Sequence, residues 1–187
     1  RVPGPKGGTV NKPLVALTAA LFAAIVGAVP TGAQGVDFPT LLRRIVPEAD
    51  RFSQVAQTVS YVARKETQAI FPAYRRDEQI GVVFYATPKG YSGRIHMLTA
   101  LDMEGTVKKV SVFSHTESTA YVVPLTDGSF LRQFEGVSLL DRLALLVGKR
   151  PSARGEIVAI SGATDTSKPI ALVVSEARKL FAEMYLS

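Results

Sequence analysis

The sequence predicts an α+β protein: an N-terminal transmembrane helix followed by one domain with a mainly antiparallel sheet flanked by helices. Three observations carry this. An uncharged run occupies residues 13–33, β-branched segments of period two crowd residues 80–115, and apolar residues at helical spacing close the chain. With 187 residues and 47% hydrophobic content, the chain can bury a core and is too apolar to be largely disordered.

Residues 1–12 form a basic leader in which Arg1, Lys6 and Lys12 have no acid beside them, so half of the net charge of +6 sits there. The remaining basic residues are scattered and accompany no recognition-helix or stacking-aromatic motif, which argues against nucleic acid as a partner. In "PLVALTAALFAAIVGAVPTGA", residues 13–33, the stretch 14–29 has Thr18 as its one polar side chain. Extended through residues 30–33, the run reaches the ~20 residues a bilayer span needs. A signal peptide ending at Thr31-Gly32-Ala33 and a buried core helix compete with a retained anchor; the one-sided basic flank is the membrane pattern. The positive-inside tendency then puts the leader in the cytoplasm and everything beyond Val36 outside it. The expectation is a single-pass protein of the cell inner membrane, its domain on the periplasmic or extracytoplasmic side. The chain opens on Arg1 rather than Met, so further N-terminal residues are expected.

Residues 34–77 read as a helical juxtamembrane segment with helices over 39–45 and 48–70. Phe52, Val55, Val59 and Val62 give the second helix an apolar stripe, Pro47 suits its first turn and Pro72 closes it. From Gln79 the period changes. Strands are predicted over 80–87, 94–103 and 106–115, the last two joined by a tight turn at Glu104-Gly105. A short helix over 138–147 would pack Leu139, Leu140, Leu143 and Leu146, and "GEIVAI" (155–160) reads as a buried strand. The last helix is predicted over 168–185, with Ile170, Val173, Val174, Ala177, Phe181 and Met184 on its core face.

The absence of cysteine removes disulfides, thiolate-bound zinc, iron–sulfur clusters and a nucleophilic thiol. Two histidines, His96 and His115, are too few for a bis-histidine haem beside other roles or a three-histidine zinc site, so redox chemistry here would use an organic cofactor. The chemistry concentrates in "AISGATDTSKPIALVV", residues 159–174, where a strand turns at Gly162 into a helix through Ser161, Thr164, Thr166 and Ser167. Free N–H groups and the helix dipole make such a terminus an anion site. Lys168 would add positive charge, Pro169 suits a first turn, and Ser167 or Thr166 would cap the helix. The plain alternative is a well-capped helix after a β-turn.

"SGAT" after a short apolar strand, followed by "TS" and a helix, resembles the flavinylation motif of the FMN-binding domain family. That domain occurs in the G subunit of Rnf electron-transport complexes and the C subunit of sodium-translocating NADH:quinone oxidoreductase. Upstream, Gly90-Tyr91-Ser92-Gly93 is similar to the family's glycine-tyrosine-glycine-glycine hairpin, and His115-Thr116-Glu117-Ser118 to its histidine-x-glutamate-threonine block. Blocks, order and separation match over residues 78–185. The family's proline-glycine-leucine-glycine is missing, replaced by "TAYVVPL", and Ser118 stands in place of threonine, which favours a relative in another membrane complex.

The resemblance implies that residues 78–187 form an FMN-binding domain. It implies FMN joined by a phosphoester to Thr164, with Ser161, Gly162 and Ala163 at the preceding motif positions and a flavin transferase using FAD as the maturation partner. Tyr91, with Gly90 and Gly93 allowing close approach, is a candidate wall for the isoalloxazine; His115 and Glu117, sharing a face if the strand continues, would stand near the cofactor. His96 is expected to satisfy a local strand contact. The implied function is a flavoprotein subunit relaying electrons among other subunits of a membrane oxidoreductase complex. A solute-binding or structural module and a stand-alone flavin reductase are the competing readings.

Overall fold

The computed structural model describes residues 37–53, 67–118 and 123–186. The predicted leader, the anchor at 13–33 and the stripe positions Val55, Val59 and Val62 lie outside the described residues. No helix among the described residues is long and apolar enough to cross a membrane. The elements are α1 (Phe38–Ile45), β1 (Arg51–Phe52), β2 (Thr67–Arg75), β3 (Glu78–Ala86), β4 (His96–Asp102), β5 (Val107–Ser114), α2 (Val123–Thr126), α3 (Ser129–Arg132), β6 (Ala144–Leu146), β7 (Glu156–Val158) and α4 (Thr164–Tyr185).

Strands β1 to β5 form an antiparallel meander in chain order. The β4–β5 turn is set by Asp102, whose carboxylate accepts the Glu104 and Thr106 N–H groups, and by Gly105 at φ 77°. Alternate residues of β3 and β4 point to opposite faces. Val82, Phe84, Met97 and Leu101 meet α4 through Ile170, Val174, Ala177 and Phe181 in the larger core. Val83, Tyr85, Leu98 and Ala100 meet Leu42 and Ile45 of α1 on the other face. Both faces are covered, which explains why these central strands read as near-continuous apolar runs. Under α1, the Tyr85 hydroxyl and His96 Nδ1 lie 2.8 Å apart, the local strand contact expected for His96. Burial raises the Tyr85 pKa, and burial first, with Arg94 second, lowers that of His96.

Three predicted elements are corrected. The helix over 48–70 gives way, where described, to β1 and to β2, which runs through Pro72. Pro72 is tolerated because its carbonyl accepts the Ser53 N–H, so its N-side faces the short β1 edge and removes no ladder bond to β3. The helix over 138–147 is replaced by a turn and by β6, paired parallel to β7. The Arg178 guanidinium donates to the Ser138 and Asp141 carbonyls, which a helix would have used internally, and Leu140 is 97% exposed. Helix α4 begins at Thr164, not 168, so Pro169 lies inside it and Ala163 is the N-cap residue, with no side-chain cap.

Candidate functional site

Three chain segments converge at one end of the sheet. The β3–β4 connection forms a small hairpin in which Gly90 N–H bonds the Gly93 carbonyl at 2.7 Å and Ile95 N–H bonds the Pro88 carbonyl at 2.9 Å. Beyond β5, residues 115–118 leave the sheet. Strand β7 then leads through a turn at Ser161-Gly162, with Gly162 at φ 74°, into α4.

Glu117 joins all three. It is 7% exposed, and its Oε1 accepts the Ser92 and Gly93 N–H groups at 2.9 and 3.3 Å. Its Oε2 accepts the Tyr91 N–H at 3.2 Å and the Thr166 hydroxyl at 2.5 Å. Burial raises its pKa as the largest single influence. The Thr166 hydroxyl and the Ser92, Gly93 and Tyr91 amides together outweigh burial and hold the carboxyl below its ordinary value. The consecutive amides of residues 91–93 form a ready anion nest, and an internal carboxylate fills it.

A second set of donors remains open. Thr166 and Ser167 N–H both bond the Ala163 carbonyl, while the Thr164 and Asp165 N–H groups have no acceptor among the described residues. These are the unpaired donors of a helix start, reinforced by the dipole. They border a cleft of about 530 Å³ lined by Tyr91, Glu117, Ser118, Gly162, Ala163, Thr164, Asp165 and Thr166. Its size falls in the range of ligand pockets, about 300–1,000 Å³.

The hydroxyls divide cleanly. Thr166 is buried and donates to Glu117. Ser167 is buried, accepts the Ile160 N–H and donates to the Ala163 carbonyl, both at 2.9 Å. Neither caps the helix as the sequence suggested. Thr164, half-buried at the first position of α4, lines the cleft with its hydroxyl unbonded among the described residues.

Of the other predicted site residues, Gly162, Ala163, Tyr91 and Glu117 line the cleft, with Tyr91 76% exposed. Gly93 contributes its N–H to Glu117 rather than a cleft wall. His115 does not share a strand face with Glu117: β5 ends at Ser114, and His115 Nδ1 accepts the Glu117 N–H at 3.2 Å. Ser161 and Lys168 are exposed and outside the lining. Ser118 and Asp165 line the cleft although nothing in the sequence marks them for it, and Thr166 bonds Glu117 rather than capping the helix. No periodicity marks those roles, which depend on contacts across 49 positions of chain.

Fold and site together define a two-sided antiparallel sheet with a cleft at a helix N-terminus, where the Thr164 hydroxyl is unbonded among the described residues. Residues 90–179 match the model of the FMN-binding domain family. The chain is 32% identical over 136 residues to the G subunit of the proton-translocating ferredoxin:NAD(+) oxidoreductase complex of Clostridium ljungdahlii, covering 73% of this chain and 67% of that protein. To the G subunit of the ion-translocating oxidoreductase complex of Stutzerimonas stutzeri it is 29% identical, covering 74% of this chain and 62% of the relative. In fold it resembles the crystal structure of Shewanella oneidensis NqrC, with a TM-score of 0.52, 18% identity and 74% of each chain covered. The chain belongs to the FMN-binding domain family.

The residues present fit FMN. The open N–H groups of Thr164 and Asp165 suit its phosphate, and the exposed Tyr91 ring offers a face to its isoalloxazine. Glu117 keeps its negative charge, but its oxygens face four donors of the hairpin and of α4, and Asp165 is the other carboxylate of the lining, so the phosphate is held by the open N–H groups against that charge.

Proposed function

We propose that this chain is a membrane-anchored flavoprotein subunit that carries FMN on Thr164 as a phosphoester and relays electrons within a larger membrane oxidoreductase complex. The observation that carries the attachment reading is the hydroxyl accounting. In the first turn of α4, Thr166 and Ser167 are buried and committed, whereas Thr164 lines the cleft with its oxygen, and the Thr164 and Asp165 N–H groups, unbonded among the described residues.

In the attachment step, Thr164 Oγ1 forms a bond to the phosphorus of the FMN half of FAD. The P–O bond to the AMP half breaks, AMP leaves with the bonding pair, and the threonine proton passes to solvent. A flavin transferase supplies the catalysis. Once bound, the flavin supplies reversible electron acceptance and donation; the chain positions it. Relatives that are themselves parts of oxidoreductase complexes support the role within a complex, and the uncharged run at 13–33 supports the anchor.

The test is flavin fluorescence of the chain in a denaturing gel, with Thr164→Ala beside the wild type. Fluorescence in the wild type and its loss in the variant are expected. A wild-type chain without covalent flavin from a host that supplies the transferase would return the turn to a helix start in a binding or structural module. Turnover of a small substrate by the isolated chain with a dye donor would favour a stand-alone reductase.

A further inference from the structure

We infer that Glu117 is a positioning residue for flavin attachment, an inference that rests on the reading of Thr164 as the attachment site. A buried carboxylate is unfavourable unless its oxygens are satisfied. Here the satisfaction comes from two elements far apart in the chain. Tyr91 and Thr166 donate to the same oxygen, Oε2, and Tyr91, Glu117 and Thr166 all line the cleft. One atom therefore sets the spacing between the hairpin side of the cleft and the first turn of α4.

The same bond fixes the rotation of that turn. With Thr166 tied to Oε2 and Ser167 tied to the Ile160 N–H and Ala163 carbonyl, the first turn of α4 is held on both sides. Thr164, at its first position, is then left as the uncommitted hydroxyl of that turn, already placed at the cleft. Glu117 touches no reacting atom in this arrangement. It acts through Thr166 and the 91–93 amides, so its removal slows transfer by misplacing the nucleophile.

The experiment measures single-turnover transfer from FAD to the full chain by a flavin transferase active on the wild type, with FAD varied and each variant's fold checked by near-ultraviolet circular dichroism. Glu117→Ala and Thr166→Val are each expected to slow transfer at saturating FAD by about ten- to a hundredfold, the scale of a displaced reacting group. Thr166→Ser, which keeps the hydroxyl, should keep the wild-type rate, and the double variant Glu117→Ala/Thr166→Val should be no slower than Glu117→Ala alone. Wild-type rates in Glu117→Ala and Thr166→Val, equal slowing in Thr166→Ser, or multiplied losses in the double variant would each overturn the inference. If Glu117→Ala does not fold, the Thr166 series decides it. Thr164→Ala is run in parallel: retained flavin there brings down the attachment reading and this inference together. Flavin lost there with normal rates in the Glu117 and Thr166 variants brings down this inference alone.

Discussion

The Ser167 hydroxyl accepts the Ile160 N–H at 2.9 Å while donating to the Ala163 carbonyl, stapling the strand that leaves β7 to the helix it becomes. Ser167 is 0% exposed, so no water replaces it. Ser167→Ala should therefore lower stability by about 1–3 kcal/mol, the cost of an unsatisfied buried donor. Chemical denaturation would measure this. The Thr164 hydroxyl remains, so the folded variant should still accept flavin, but more slowly, because one of the two ties on the first turn of α4 is gone.

That bond also shows where the sequence was legible and where it was not. Strands β3, β4 and β5 were readable because β-branched and aromatic residues dominate them and their turn carries Gly105. The attachment segment was readable because Gly162 and the hydroxyls stand between a short apolar run and a strong helical stripe. The start of α4 lies one turn before the predicted one because Thr166 and Ser167 look like caps and Pro169 looks like a first-turn residue. Tertiary partners, Glu117 and Ile160, take those hydroxyls instead. β2 was lost to an apolar stripe of helical spacing and to Pro72, whose compatibility with a strand depends on a short neighbouring edge. Likewise, His115 and Glu117 were singled out by resemblance, but their mutual bond depends on the chain leaving the sheet after Ser114.

Acid should loosen the cleft. The folded Glu117 pKa lies below its ordinary value of 4.5, so its contribution is fully present above that value and is lost as pH falls through the folded pKa. Hydrogen exchange of the Tyr91, Ser92 and Gly93 amides should accelerate, relative to the intrinsic rates, over that acid window in the wild type. Glu117→Gln should show already weakened protection that varies little with pH. Identical profiles in the two proteins would contradict the assignment of these amides to the carboxylate.

Two glycines of the hairpin should respond differently to alanine. A Cβ at Gly90 would meet Glu117 Oε1 at 2.5 Å and Ile95 Cδ1 at 2.8 Å, with no room unless the carboxylate leaves its donors. A Cβ at Gly93 would meet chiefly the hydroxyl of Thr116, an exposed side chain that can rotate away. Gly90→Ala is expected to cost about 1–3 kcal/mol by overpacking. Gly93→Ala should cost less, and thermal melts of the two side by side would rank them. A reversed order would mean that the hairpin yields around residue 90.

The membrane reading predicts sidedness. The basic leader precedes the uncharged run at 13–33, so a reporter fused after Ser187 should behave as non-cytoplasmic. Protease added to spheroplasts should digest the domain. Protection of the domain would reverse the topology and remove the proposed route of flavin attachment.

The last prediction concerns what the flavin is for. A chain without cysteine and with two histidines, one of them bonded to Tyr85 and the other to the Glu117 N–H, offers its flavin as the electron-carrying group. A single flavin is useful in transport when donor and acceptor centres on other chains approach it. The cleft admits such an approach: Tyr91 is 76% exposed, and Asp165 and Ser118 at its lining are exposed as well. Thr164→Ala removes the attachment oxygen but leaves Glu117, Thr166 and both cores intact, so the surfaces that partner subunits meet should persist. The expected result is a parent complex of normal subunit composition whose ferredoxin- or quinone-linked activity falls to background. Full activity in a correctly assembled, flavin-free variant would take this flavin off the main electron path. Failure to assemble would give the cofactor a structural role, with the bound flavin itself forming part of the contact between subunits.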